Sequence, residues 1–251
     1  MNIEELYQKA DLNFQRHLKE NRYPGRGIVL GVDSGGAPVL LYWIMGRSEN
    51  SRNRVFVLSK EGILRTEAAD NSLVEDPSLI FYNAVKPLGN GFLVTNGDHT
   101  DRIATIIEDG GSLYQGLLAE KHEPDPPIYT PRIAGLLNKD ASGTKIELGM
   151  VCSSPFTPDY SEVHVHHLPV LQQGFGFGIT TYKEDGNPLP HFQENPILLP
   201  MYGKSNELVD RYWNALDSEN RVSLAMHTSG TIPASKAWEI RNSRKSSILL
   251  Q

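Results

Sequence analysis

The sequence predicts a layered protein of the α/β or α+β class without the regular βαβ alternation of a doubly wound sheet. Three observations predict it. Strand-like apolar runs come early, helical spacings occupy the middle, and strand-like runs return after about residue 145. The glycines form neither a dinucleotide fingerprint nor a P-loop: Gly174-Phe-Gly-Phe-Gly lacks the GxGxxG spacing, and no GxxxxGK[ST] occurs.

Residues 3–18 place Leu6, Ala10, Phe14 and Leu18 four apart, on one side of an amphipathic helix. Tyr23-Pro-Gly-Arg-Gly breaks that pattern. Residues 28–32 and 39–45 then read as two strands of a hairpin joined through Asp33-Ser-Gly-Gly. Residues 55–58 and 91–95 read as further strands. The polar run Asn96-Gly-Asp-His-Thr-Asp101 follows, and Ile103, Ala104, Ile106 and Ile107 take a helical spacing with Asp98 or Thr100 as its cap. Residues 112–120 continue helical, the prolines of 124–127 interrupt, and residues 130–137 read as a capped helix with Pro131 in its first turn. Strands are predicted over 145–152, 162–170 and 175–182 and a helix over 207–216. Residues 185–200, with Pro188, Pro190, Pro196 and Pro200, read as an ordered surface loop or arm, and the polar, basic end from residue 235 as partly frayed. No internal repeat is visible, and length alone leaves one large domain as likely as two small ones.

Composition narrows the partners. At 251 residues with 39% hydrophobic content the chain has material for a sizeable core. A formal charge of -6 denies it the broad positive field that a general nucleic-acid binder needs. Cys152 is the only cysteine, which excludes an intramolecular disulfide and fits a reducing compartment. Without a signal-like start or a run of roughly 20 apolar residues, the expectation is a soluble cytoplasmic protein with no membrane partner.

Polar clusters stand at the ends of the predicted strands, where a scaffold holds side chains while loops expose them. The first two, Tyr23-Pro-Gly-Arg26 and residues 46–54, bring Arg26, Arg47, Arg52 and Arg54 to adjoining segments, and guanidinium forks match phosphate geometry. The third is Tyr82-Asn83. The fourth, Asn96 to Asp101, opens a helix whose free N–H groups suit an anion. Glu123, Asp125 and Arg132 add charge nearby. Each is also what a solvated turn or an ordinary helix cap looks like.

Taken together, Tyr23-x-Gly-Arg26, Arg47-Ser-x5-Arg54 ending in Asn53-Arg54, Tyr82-Asn83, Asn96-Gly-x-His-Thr-Asp101, Glu123-x-Asp125 and Thr130-Pro-Arg-Ile-Ala134 resemble, in order and spacing, the archaeal IMP cyclohydrolases. The resemblance is densest before Gly149 and thins to scattered positions such as Trp238. It implies a single domain over 1–251 with a four-layer αββα sandwich similar to that of N-terminal nucleophile hydrolases, without their nucleophile, since the chain opens Met1-Asn2 and then a helix. It further implies closure of 5-formamidoimidazole-4-carboxamide ribonucleotide to IMP, a purine ribonucleotide as the partner, no cofactor or metal, and a homo-oligomer. Carried onto this sequence, Glu123, Tyr82 and Arg54 become the catalytic residues: Glu123 for proton transfer, Tyr82 for the formyl oxygen or a proton relay, and Arg54 for charge stabilisation or phosphate. Arg26, Arg47, Asn53, Asn83, Asn96, His99 and Arg132 become substrate-binding residues. The archaeal enzymes are shorter, so residues 1–22 and 185–200 read as additions.

Two other functions fit parts of the sequence. The fold and phosphate cradle suit a non-catalytic binder of purine nucleotides or phosphoribosyl compounds equally well. Glu162-Val-His-Val-His-His167 puts His164 and His166 on one face of a strand, as a metal-dependent hydrolase would. Two clear ligands on one side are fewer than such a site requires, and exposed strand histidines explain them as well.

Overall fold

The computed structural model describes residues 2–74, 77, 80–141, 143–169, 172–230 and 237–245. The sequence readings at Met1, Val170, Ser235 and residues 246–251 lie outside them. Two antiparallel sheets dominate. One has six strands: β1 (Gly27–Val32), β2 (Pro38–Met45), β10 (Phe175–Thr180), β11 (Ile197–Pro200), β12 (Arg221–Thr228) and β13 (Trp238–Asn242), in the order β11-β10-β1-β2-β12-β13. The other has seven, in sequence order: β3 (Val55–Leu58), β4 (Leu64–Glu67), β5 (Tyr82–Leu88), β6 (Gly91–Thr95), β7 (Arg132–Asp140), β8 (Gly143–Ser153) and β9 (Ser161–Leu168).

The sheets share one core. Ile28 and Leu30 from β1, Val94 from β6, Ile133 and Leu137 from β7, and Ile146 and Leu148 from β8 are all buried in it. Their closest approach passes over Gly135, where a Cβ would lie 2.9 Å from Leu30 Cδ1 and 3.0 Å from Ile28 Cγ2. Helices pack on the sheets: α1 (Ile3–Phe14) against β11, α5 (Ser205–Ala215) against β12 and β13, α3 (Thr100–Glu108) against β5 and β6, and α4 (Leu113–Leu118) against β8 and β9. A short α2 (Glu49–Arg52) follows β2.

Local sequence explains the elements that matched expectation. Asn2 and Glu5 cap α1 reciprocally, and Ala10, Phe14 and Leu18 are buried, the last from a π-helical turn at Gln15–Lys19. Asp33 closes the β1–β2 turn by accepting the N–H groups of Gly35 and Ala37, each at 2.8 Å. Ser112 and Gln115 form the capping box of α4.

Other expectations are corrected. The helix predicted over 130–137 is strand β7: Ile133 and Leu137 face the shared core while Ala134 and Leu136 face α3 and α4. A strand buried on both faces has a continuous apolar run, which periodicity does not separate from a buried helix. The proline-rich arm is partly core. Leu189 and Phe192 are buried, and β11 closes one edge of the six-stranded sheet, pairing Ile197 with Gly178 and Pro200 with Phe175. Prolines are tolerated there because an edge strand needs donors on one side only. Within the end read as frayed, residues 238–242 form strand β13, beside β12, a buried strand that its mixed polar sequence concealed; β4 and β5 were concealed likewise. His99, without a side-chain cap bond, sits at the N-cap of α3 where Asp98 or Thr100 was expected.

Gly25 stands two residues before β1 and next to Arg26. Its φ of 73° is left-handed, and a Cβ would fall 2.1 Å from Thr181 Oγ1 and 2.5 Å from Tyr182 Cδ2. Gly25→Ala is therefore expected to lower stability by about 2–4 kcal/mol through backbone strain and overpacking. Urea unfolding checks it; a midpoint unchanged from wild type contradicts the argument.

Candidate active site

Strand ends from both sheets enclose a cavity of about 370 Å³, within the range that holds one small organic ligand. Arg26 enters from the start of β1, Arg47 from beyond the end of β2, Arg54 from the residue before β3, and Glu123 from the segment between α4 and β7. Four of the ten predicted site residues thus share one wall system. Tyr82 stands behind it: 8% exposed, it places its hydroxyl 3.0 Å from that of Tyr42, and both phenols lie close enough to act electrostatically on Arg26 and Arg54.

The charges are unequally matched. Arg26 Nη1 donates to Glu123 Oε1 at 2.8 Å, with side chains 16% and 13% exposed. Burial disfavours the Arg26 cation, but Glu123, then Tyr82, Tyr42 and Tyr182, more than reverse this and hold its pKa above the usual arginine value. Arg47 pairs with Asp185 at 3.0 Å, donates to the Gly186 carbonyl at 3.0 Å and lies over the Tyr23 ring at 4.9 Å. Among the described residues Arg54 has no such carboxylate partner. It is 3% exposed, and its guanidinium makes one hydrogen bond among the described residues, from Nε to the Ser51 carbonyl at 2.9 Å. Burial and then the neighbouring Arg26 lower its pKa, against a smaller opposing pull from Tyr82, Tyr42 and Tyr23. An arginine stays protonated at neutral pH, so the demand falls on whatever anion enters.

The remaining predicted residues are not brought to the cavity. Asn53 is fully buried and bonds the backbone of Asp70 with both ends of its amide, at 2.7 and 2.8 Å. Asn96 does the same for the start of β7, donating to the Pro131 carbonyl and accepting from Ile133 N–H. Asn83 donates to Asp101. Arg132 holds Asp98 at 2.6 Å, the Lys121 carbonyl at 2.8 Å and His99 Nδ1 at 2.8 Å. Burial and the facing Arg132 lower the His99 pKa to about 3, so this ring is neutral. Arg52 likewise turns away, to the Gly46 carbonyl. These side chains fasten the segments that carry the cavity residues.

Tyr182, Leu189, Asp125 and Thr130 complete the wall. Asp125 organises the turn before β7: its carbonyl accepts from Ile128 and Tyr129, whose φ of 51° is left-handed, and its carboxylate accepts from Thr130 N–H at 2.7 Å and Thr130 Oγ1 at 2.6 Å. Thr130 Oγ1 also lies 2.8 Å from the Tyr182 hydroxyl, and Tyr182 stacks on Tyr23 with ring centroids 5.8 Å apart.

The sequence pattern of the IMP cyclohydrolase-like protein family matches residues 23–231, a span that contains every residue of the cavity wall. The chain belongs to this family. The IMP cyclohydrolase of Methanococcus aeolicus is 29% identical over 165 residues, 64% of this chain and 74% of its own. That of Methanothrix thermoacetophila is 30% identical over 168 residues, covering 65% and 76%. That of Methanococcus maripaludis strain S2 reaches 37% over 123 residues, covering 47% and 59%. In this member of the IMP cyclohydrolase-like family, α1 stands outside the matched residues and segment 185–200 lies within them.

The sequence carried no signal for Tyr182 or Leu189 as site residues of this family member. Both arrive from more than 50 residues beyond Thr130 and are ordinary apolar-run residues until β10 pairs with β1. On β9, His164 and His166 do share a face, pairing with Met150 and Leu148. Among the described residues no group of three or more His, Cys, Asp or Glu side chains is placed to hold a metal. No helix among the described residues is long and apolar enough to cross a membrane.

Proposed function

We propose that the protein is an IMP cyclohydrolase that closes 5-formamidoimidazole-4-carboxamide ribonucleotide to IMP with loss of water. The observation that carries this is Arg54, a buried cation with no carboxylate partner among the described residues, opening on a cavity of nucleotide-like size and set beside a carboxylate already paired to a second arginine. The paired sheets with helices packed on each support the αββα sandwich similar to N-terminal nucleophile hydrolases.

In the closure the carboxamide nitrogen attacks the formyl carbon of the same molecule, the formyl oxygen becomes an oxyanion, and that oxygen finally departs as water. Arg54 and Arg26 present donors where this charge develops, in a site whose tyrosines exclude much of the solvent. Glu123, held by Arg26, takes a proton from the carboxamide nitrogen and returns it to the formyl oxygen, a service worth about 10²- to 10⁴-fold, and the second proton of the departing water is the one the formamide nitrogen gives up as the ring C=N bond forms. Arg47, Ser48 and Ser51, at the turn after β2, receive the ribose phosphate. Both reacting groups belong to one substrate, so the protein has mainly to fold it.

Mixing purified protein with the formylated precursor and following IMP formation tests the proposal. The expected result is enzymic formation well above the spontaneous rate and unaffected by a chelator. Saturable IMP binding without turnover would instead support a nucleotide-binding protein, and activity lost to the chelator and to His166→Ala a metal hydrolase.

A further inference from the structure

We propose that Asp125, Thr130 and Tyr182 form a hydrogen-bond chain that fixes the Tyr182 phenol oxygen as an acceptor for the substrate carboxamide N–H, so that nitrogen and not oxygen faces the formyl carbon. The inference rests on the IMP cyclohydrolase reading of the cavity and deepens it.

Proton counting sets the direction of the chain. Thr130 has one hydroxyl proton, and Asp125 Oδ2, 2.6 Å away, accepts it. Asp125 Oδ1 is meanwhile fixed by Thr130 N–H at 2.7 Å, so the carboxylate has no freedom to turn. At the 2.8 Å contact with Tyr182 the threonine oxygen therefore accepts and the phenol donates. The phenol stays neutral, burial having raised its pKa to about 12. With its single proton committed, its oxygen has only lone pairs left for the cavity. The Tyr182 backbone is pinned as well, its N–H by the Pro24 carbonyl at 3.1 Å and its carbonyl by Thr180 Oγ1 at 2.8 Å.

The wall around a ligand is then polarised. Arg26 and Arg54 donate only, whereas Tyr182, when held this way, accepts only. A primary carboxamide is nearly symmetric in shape, and sterics alone do not separate its NH₂ from its oxygen. An acceptor on one side does, because a flipped carboxamide sets oxygen against oxygen and leaves a buried acceptor unpaired. The flipped form presents no nucleophile to the formyl carbon. Tyr182 would thus touch the substrate, with Thr130 and Asp125 acting through it as positioning residues.

The test is steady-state IMP formation with IMP affinity and melting temperature measured on each variant. Tyr182→Phe and Thr130→Val are expected to lower kcat about 10- to 100-fold with KM and IMP affinity within about threefold of wild type, the range expected for one lost orienting hydrogen bond. Thr130→Ser recovers most of the loss seen in Thr130→Val. Asp125→Asn puts an amide NH₂ where Oδ2 stood, turns the threonine proton toward Tyr182 and pushes the phenol proton into the cavity. It is expected to cost as much as Tyr182→Phe, and the double variant no more than either single one. If Tyr182→Phe fails to fold, Thr130→Val, which keeps the phenol, carries the same forecast. The inference is overturned if Tyr182→Phe or Thr130→Val keeps more than half of wild-type kcat, if the loss lies in KM alone, or if the Asp125 and Tyr182 losses multiply. Wild-type protein forming no IMP overturns the underlying reading and this inference with it, whereas active wild type with an active Tyr182→Phe variant removes the chain alone.

Discussion

Arg54→Met is expected to cost about 10²- to 10³-fold in turnover while leaving the protein as stable as wild type or more so. The two effects have one cause. Among the described residues the buried Arg54 guanidinium has a single bond, to the Ser51 carbonyl, and lies next to a second arginine, so its charge is poorly compensated there before any ligand arrives. Methionine fills similar space without that charge, and replacing poorly compensated buried charge by an apolar side chain is worth from nothing to a few kcal/mol. At roughly 2–4 °C per kcal/mol for a domain of this size, a gain of about 1 kcal/mol is visible in a thermal melt. The same variant should bind IMP only modestly less tightly, since the oxygen Arg54 faces has left as water and Arg47 still meets the phosphate. A melting temperature that falls by several degrees with turnover retained would show that Arg54 is a structural arginine and remove the argument for an anion site.

Glu123→Gln should separate stability from binding in the opposite sense. Removing the carboxylate 2.8 Å from Arg26 leaves two neighbouring cations in one cavity, Arg26 and Arg54. Breaking one half of a buried pair typically costs 3–5 kcal/mol, and because this pair is partly open to the cavity about 1–3 kcal/mol is expected. Without a group to move the carboxamide proton, turnover should fall about 10²- to 10⁴-fold. IMP, a dianion at its phosphate, should bind at least as tightly as to wild type and return the lost stability when added in excess. Calorimetric titration with IMP, melts with and without it, and single-turnover rates check the three parts. Weaker IMP binding in this variant would mean that Glu123 holds the nucleotide and does not transfer its proton.

The two variants also bear on how the cavity is assembled. Every cation that reaches it stands within one or two residues of a strand end, where the backbone is held by a sheet and the side chain is free to turn inward. The asparagines and His99 stand at similar places in the chain, yet their hydrogen bonds are spent on Asp70, Pro131, Ile133 and Arg132. That use is not idle: Asn53 ties the residue before Arg54 to the Asp70 backbone, and Asn96 sets the first residues of β7 behind Thr130.

From the sequence alone came the elements whose periodicity or turn chemistry is local: the apolar stripe of α1, the Asp33 hairpin, the apolar face of α3, and the polar clusters at strand ends that hold Arg26, Arg47, Arg54 and Glu123. Motif order also carried the family resemblance, although the family match runs to residue 231, well beyond the region where those motifs are dense. Only the tertiary structure decided that residues 132–140 are a strand, packed on both faces from Ile133 to Leu137, and that the proline-rich segment contributes an edge strand and Leu189 to the cavity wall. It also decided which polar residues face a ligand and which face the backbone, and it brought Tyr182 to Thr130. The physical reason is common to these cases. An amide or guanidinium has the same donors wherever it sits, and an apolar run packs equally well as helix or strand until its neighbours are in place, so long-range pairing alone assigns their partners.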